Sequence, residues 1–419
     1  MKIDKEELFN NPSFCIMPWI HQYINTTGDV YPCCTAKYDF PLGNVRTNTI
    51  EEVWNSEEYK QLRLNMLQGK KSPHCETCYI HENATADDQS PTSFRQWANR
   101  DFEEFITQVE ETNEDGSIDE MKLRYFDVRW SNICNFKCRT CGDWFSSAWA
   151  QEAKANWEKD NPDYQVFIKA TNNNDQLLEQ FKPHLPFMKV VYFAGGEPLI
   201  TPEHYKILDF LIENNSTEAL LRYNSNVSVL NYKSKNIIDY WKHFKEIDLY
   251  ASIDSWGKRA EYIRSGTNWD EVVFNLTKIK NECPNVKIEY NAVVGLWNCM
   301  TITDFLEDLE DRGLFDPLTS RATLYRQITP SWQSLKHLPL ELRATGIDKI
   351  NNYIKQREWN ISGGLVDRLN EIKEYMAQPL EDTPIPNHIM KSHIDTIDRV
   401  RNELFVETFP ELRSWYESL

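Results

Sequence analysis

The chain is short of positive charge, of long apolar runs and of glycine. Its 419 residues include 46 lysines and arginines against 64 aspartates and glutamates, for a formal net charge of −18. So acidic a chain gains nothing from a general attraction to phosphate backbones or anionic lipid, which disfavours a nucleic-acid partner. No apolar run reaches the length needed to cross a bilayer, so no membrane association is expected. The opening residues, MKIDKEELFNNPSF, lack the apolar core of a secretory signal, and a cytoplasmic location is the default expectation. There is neither a repeat nor a low-complexity tract. What the chain does have is cysteine. Of ten, eight fall into two groups: Cys15, Cys33, Cys34, Cys75 and Cys78, then Cys134, Cys138 and Cys141. Disulfide scaffolds are usually short and extracellular. In a long chain without a signal, clustered cysteines point to metal.

The length suggests two or three domains. Residues 1–85 are dense in Cys, Pro, Trp and Tyr, and residues 86–120 read as a helical linker ending in the polar TNEDGSIDE. From 121 to 330, short β-rich runs alternate with segments of helical period: 122–130, 189–196, 219–227, 246–254, 286–294 and 321–328. After the second run, Thr201 is placed to cap a helix with Pro202 in its first turn, and Tyr205, Leu208, Leu211 and Ile212 share one face. TITDFLEDLEDRG carries a similar capping signal and ends on Gly313. Strands alternating with helices predict an α/β fold with a parallel sheet, open or curled into a partial barrel, and ligands at the carboxyl ends of the strands. Residues 331–419 read as mostly helical.

The first strand runs into WSNICNFKCRTCGDW, with Cys134, Cys138 and Cys141 spaced Cys-x3-Cys-x2-Cys and no fourth cysteine nearby. A closed zinc or iron–sulfur site normally takes four protein ligands. Either a distant residue such as Cys283 or Cys299 completes a zinc site, or one iron of a cluster is left open. The second strand ends in YFAGGEPLI, where Gly195 and Gly196 let backbone approach a ligand and Glu197 can accept from an ammonium group.

CNFKCRTC resembles the signature of the radical S-adenosylmethionine (SAM) superfamily, and the Gly-Gly-Glu-Pro string resembles the family's SAM-ammonium motif. The resemblance implies a partial (β/α)6 barrel in which Cys134, Cys138 and Cys141 hold a [4Fe–4S] cluster whose fourth iron is chelated by SAM. Further matches follow in the family's order. Asn224, Ser225 and Asn226 end strand three, Ser252 and Asp254 end strand four, and Arg264 would pair with the SAM carboxylate, for which its fork is suited. Val293 would pack on the adenine. One departure is Thr140, where the family often has an aromatic residue. Read singly, these residues are also ordinary polar strand ends, a surface arginine and a core valine.

Cys15, Gly28 and Cys33 form Cys-x12-Gly-x4-Cys, Gly28 suiting a tight hairpin, and Cys75 and Cys78 form a chelating pair. On spacing alone, zinc fits as well as a complete cluster. The segment resembles the twitch domain, the shortened form of the SPASM domain, which implies one auxiliary [4Fe–4S] cluster held by Cys15, Cys33, Cys75 and Cys78. In most relatives that domain follows the radical SAM core; here it precedes it. Cys34, next to Cys33, is a spare or alternative ligand. Cys283 and Cys299 read as buried small hydrophobes.

The family's chemistry implies an enzyme that takes an electron from a flavodoxin- or ferredoxin-type reductant, cleaves SAM to a 5′-deoxyadenosyl radical and abstracts hydrogen from a substrate carbon. A peptide or protein side chain is the first expectation for that substrate, with the auxiliary cluster as electron acceptor. A sugar or nucleotide substrate is the alternative, and a non-catalytic protein with two structural metal sites is a third reading. Tyr192, Tyr223, Tyr325 and Arg326, near strand ends, are candidate substrate contacts, though core packing explains the tyrosines equally well.

Overall fold

A computed structural model describes residues 5–83, 93–379 and 385–419. Residues 86–92 of the expected linker and 380–384 of the helical region lie outside the described residues. The chain divides into two compact units. One comprises Met1–Asn132, Phe167–Arg222 and His243–Glu246, the other Ile133–Val166, Tyr223–Lys242 and Ile247–Leu419.

In the first unit, β1 (His21–Ile24) and β2 (Asp29–Tyr31) form the hairpin expected around Gly28. Gly28 has φ +86°, and a Cβ there would stand 2.3 Å from the Ala170 carbonyl oxygen, so no other residue fits without strain. β3 (Gly43–Asn44) extends the hairpin. On its other edge β1 pairs in parallel with β4 (Tyr125–Val128), which pairs in parallel with β5 (Val190–Phe193). The cysteine-rich segment therefore shares a sheet with the first strand of the α/β region. The helix Pro202–Glu213 buries Tyr205, Leu208 and Leu211, each apolar side chain contributing roughly 1.5–3 kcal/mol. Thr201 occupies the N-cap but makes no side-chain cap: its hydroxyl donates to the Pro198 carbonyl at 2.8 Å, because the turn before it is 3-10 and offers that acceptor first.

The chain passes into the second unit within β6 (Leu220–Ser225). There β7 (Ile247–Ser252), β8 (Val286–Val294) and β9 (Arg321–Arg326) pair in parallel. The helix Trp269–Glu282 buries Val272, Leu276 and Ile279, and the helix Ile302–Asp311 buries Phe305, Leu306 and Leu309. Thr301, like Thr201, caps without its side chain and donates instead to Asn298 O at 3.4 Å. Gly313, at φ +66°, closes the helix as its sequence position implies. Beyond β9 the chain is helical: Leu340–Arg357, Gly363–Ala377 and Asn387–Arg401 are its long elements. Among the described residues, no helix is long and apolar enough to cross a membrane.

Candidate active site and cysteine centres

The three-cysteine loop belongs to the second unit and is tied at almost every residue. Cys134 N–H donates to Ser147 Oγ at 3.2 Å, while Ser146 Oγ donates to Phe136 O and caps the helix Ser147–Asn156 by accepting from Trp149 N. Asn135 exchanges amide bonds with the end of β6: Asn226 Nδ2 donates to Asn135 Oδ1 at 3.0 Å, and Asn135 Nδ2 to Ser228 Oγ at 2.9 Å. Lys137–Cys138 pairs antiparallel with Arg264–Ser265. Gly266 is required where the two segments cross, since a Cβ would stand 2.9 Å from the Phe136 ring. The turn closes with Cys141 N donating to Cys138 O at 3.0 Å. Cys138 is buried, Cys134 half-buried and Cys141 exposed. A hydrogen bond shared by Cys138 and Cys141 pushes the first thiol up and the second down, and Arg264 stabilises both thiolates.

Arg264 lies bidentate on Asp254, Nε and Nη2 at 2.8 and 3.0 Å, with Nη1 3.9 Å from Cys138 Sγ. Asp254 is 1% exposed and also accepts from Val293 N at 2.8 Å, so one carboxylate holds both Arg264 and the end of β8. Ser225 Oγ accepts from Val227 N at 3.0 Å, across a backbone turn at φ +55°. Ser252, half-buried, pairs in register with Asn291. Buried Oδ1 of Asn224, Oγ of Ser255 and Oδ1 of Asn291 find no partner among the described residues. Three orphaned polar atoms around strand ends are costly unless a polar ligand meets them.

In the first unit, Cys15, Cys33, Cys75 and Cys78 are electrostatically coupled. Burial pushes all four thiols up; Cys75 acts next on Cys15, and Cys33 next on Cys75. The backbone around Cys15 is pinned on both sides, by Asn99 and Arg95 on Phe14 O and by Asn99 Oδ1 on Ile16 N at 2.9 Å. Arg95 is held in turn by Glu82 at 2.6 and 3.0 Å. No three His, Cys, Asp or Glu side chains among the described residues are gathered as for a single metal ion. A cubane cluster, with one sulfur at each corner, needs a wider spacing than one zinc ion does. Cys283 and Cys299 are buried singly, as expected of small hydrophobes.

Cys34 faces elsewhere. Burial and then Asp127 push its thiol up to about 12, against the pull of Arg129. Asp127 and Arg129 form a buried ion pair, Nε to Oδ1 2.9 Å, on the face of β4 where Tyr23 and Tyr192 are the cross-strand neighbours. The guanidinium lies over the Tyr192 ring at 4.7 Å and Tyr23 at 5.6 Å. The aliphatic stem of Arg129 fills the space beside Gly195, where a Cβ would stand 2.8 Å from Arg129 Cδ. Gly195 and Gly196 both have positive φ, +82° and +52°, and Glu197, buried, accepts from Leu199 N at 3.1 Å. Sequence reasoning passed over Asp127 and Arg129, although two charges alternating within YFDVRW on a buried strand are a readable signal. Among the candidate substrate contacts, Tyr192 lies in this cluster. Tyr223 is core, packed on Trp241, while Tyr325 and Arg326 are exposed, because β9 turns its end residues outward.

Residues 15–79 match the SPASM model, an iron–sulfur cluster-binding domain, and residues 128–309 match the radical SAM superfamily model. No curated protein matches the chain. Similar solved structures include a histidine-tagged anSMEcpe with bound AdoMet, at 12% identity and TM-score 0.40, covering 57% of this chain and 63% of that one. Streptococcus suis SuiB bound to S-adenosylmethionine matches at 14% identity and TM-score 0.37, covering 82% and 71%. The match thus spans less than two thirds of the length of anSMEcpe, and likenesses at these TM-scores carry no argument. The two domain matches do: radical SAM superfamily members are enzymes, the radical SAM domain binds a [4Fe–4S] cluster with SAM, and the SPASM domain binds auxiliary iron–sulfur. Along the chain, a segment similar to the radical SAM superfamily, 128–309, thus follows one similar to the SPASM iron–sulfur cluster-binding domain, 15–79.

Proposed function

We propose that the chain is a radical SAM enzyme acting on a peptide or protein side chain. Its layout is a twitch-type cluster domain at 1–85, a linker at 86–120, a partial barrel at 121–330 and a helical extension at 331–419. The observation that carries the reading is the three-cysteine loop: three thiols on one braced turn, with one side open and a guanidinium beside Cys138. That donor set fits a cluster with one iron left for SAM, and it does not fit a four-ligand zinc site. When bound, the cluster and SAM supply a 5′-deoxyadenosyl radical that takes hydrogen from a substrate carbon, after an electron arrives from a flavodoxin- or ferredoxin-type donor.

The chain's own residues then divide the work. Cys134, Cys138 and Cys141 hold three irons. On the strength of the motif, Gly195, Gly196 and Glu197 receive the SAM ammonium. Asn224, Ser225, Asn226, Ser252, Asp254, Arg264 and Val293 serve the rest of the cofactor. Asp254 keeps Arg264 in one rotamer, and the unpartnered oxygen of Asn224 takes a polar group of SAM. Cys15, Cys33, Cys75 and Cys78 hold one auxiliary [4Fe–4S] cluster; with four protein ligands it has no open corner, so electron acceptance fits it better than substrate binding. Cys34 supports that role: it sits one peptide bond from a ligand and faces the Asp127–Arg129 pair beside Gly195.

Anaerobic reconstitution should give about eight irons per chain, and a strong reductant should then release 5′-deoxyadenosine from SAM. Tightly bound zinc with no SAM cleavage after reconstitution overturns the reading.

A further inference from the structure

The C-terminal helices carry no motif that the proposed chemistry uses, yet one turn of them reaches both neighbours of Cys138. Arg139 is fully buried. Its Nη2 donates to Asp398 Oδ1 at 2.6 Å and to Glu403 Oε2 at 2.5 Å, its Nε to Tyr262 O at 3.1 Å, and its guanidinium lies 3.6 Å over the Tyr262 ring. On the other side of Cys138, Lys137 pairs with Glu152 at 2.5 Å, and Glu152 is held by Arg401 at 2.8 and 3.0 Å. Asp398, Arg401 and Glu403 lie within six residues, at the end of the helix Asn387–Arg401 and the left-handed turn at Asn402, φ +53°. The same carboxylates brace the strand that pairs with the loop and the helix Gly257–Ile263 that leads into it: Ser265 Oγ donates to Glu403 at 2.8 Å, and Tyr262 Oη to Asp398 at 2.7 Å. Asp398 Oδ2 also accepts from Phe405 N at 2.7 Å, which fixes the turn itself.

Burying Arg139, Asp398, Glu152 and Arg401 carries a large desolvation cost and leaves their pairs little screened, while Lys137 and Glu403 keep partial contact with solvent. A merely stabilising contact is made more cheaply by apolar packing, whereas ionic contacts fix register and direction. Arg139, on one flank of the cluster-loop cysteine, takes both its carboxylates from one tail segment, and Lys137, on the other flank, is reached from the same segment through Glu152. We propose that the Asp398–Glu403 turn is a clamp on the cluster loop, with Arg139 as the positioning residue that sets the Cys138–Cys141 turn. The network sets Asp398, Glu403 and Glu152 against Arg139, Lys137 and Arg401, so its charges balance and the loss of any one carboxylate leaves a net positive charge behind that turn.

The proposal rests on the radical SAM reading, but its first test does not need that reading to hold. In the metal-free full chain, Cys134, Cys138 and Cys141 should alkylate at least tenfold faster in Arg139→Lys and in the double variant Asp398→Asn, Glu403→Gln. Lysine keeps the charge but not the fork that serves two carboxylates and a carbonyl at once. Arg368→Ala, which removes an exposed ion pair with Glu371 in the same unit, should leave the rates unchanged. In the reconstituted protein, Glu403→Gln should move the cluster's reduction potential to a more positive value, since a negative charge is lost nearby, and should shift its electron paramagnetic resonance signature with SAM. Ser265→Ala removes one hydrogen bond and no charge, and it should give the same rise in alkylation rate at smaller size, with the potential unmoved, if the ionic variants fail to fold. Unchanged alkylation rates and an unchanged spectrum across these variants overturn the clamp. Absence of any cluster in the parent protein overturns the radical SAM reading instead, while the alkylation arm still decides the clamp.

Discussion

The two cysteine centres are built on opposite plans. The N-terminal four are buried or half-buried, mutually coupled, and pushed up chiefly by burial. The three-cysteine loop ends on exposed Cys141 and has Arg264 beside its thiols. A closed set of donors leaves its centre no open position for a ligand. An open set with a cation and unpartnered strand-end oxygens has room for a ligand.

The largest effect separates the two directly. Alanine at Cys134, Cys138 or Cys141 should abolish SAM cleavage, measured as 5′-deoxyadenosine release. Alanine at Cys75 or Cys78 should spare some cleavage and stop product formation, and turnover unchanged in those variants would remove the auxiliary centre from the mechanism. Next comes the cation. Arg264→Gln should lower SAM cleavage about 10–100-fold, the range typical of residues that orient a metal site's ligands, with iron content kept; equal loss of iron would make Arg264 part of the loop's framework instead. Glycines sharpen the comparison further. Gly28→Ala strains a positive φ and meets Ala170 O at 2.3 Å, so denaturant melts should show a loss above about 1 kcal/mol together with loss of auxiliary iron. Gly142, beside Cys141, has nothing within 4 Å of an added Cβ, and Gly142→Ala should change neither.

The smallest effect is the pH response of the closed side. Burial lowers His21 to about 3, so it stays neutral in the fold while the unfolded chain binds a proton below the ordinary value of 6.5. Stability should therefore rise with pH between about 3 and 6.5 and level off above. Asp127, raised by burial to about 6, works against this between 3.8 and 6. His21→Phe should flatten the rise, and Asp127→Asn should steepen it, as read from melting temperature against pH.

Much of this was legible in the sequence because it is local. Cys-x3-Cys-x2-Cys, Gly28 and Gly313 act within a few residues of themselves, and all six β-rich runs contain strands. What was not legible depends on partners far along the chain. Nothing in the sequence signals that β1 pairs with β4, a separation of about a hundred residues. Arg139 reads as a spacer inside a motif, and its partners lie 259 and 264 residues away. Thr201 and Thr301 carry the right residue type for caps, but their hydroxyls are turned back to donate to the Pro198 and Asn298 carbonyls and accept from no helix N–H. Tyr325 proved exposed rather than core, because strand alternation fixes sides without saying which side is covered.

Cys33 and Cys34 share one peptide bond; after burial, Cys33 feels Cys34 and then Cys15, while Cys34 feels chiefly the Asp127–Arg129 pair. That adjacency makes the hairpin unusually sensitive to frame-preserving genetic change. Deleting the Cys33 codon would slide the Cys34 sulfur into the first one's place. On the proposed ligand set, such an allele would keep four thiols for the auxiliary cluster and lose the one near Arg129, a lesion that metal analysis alone would pass as wild type.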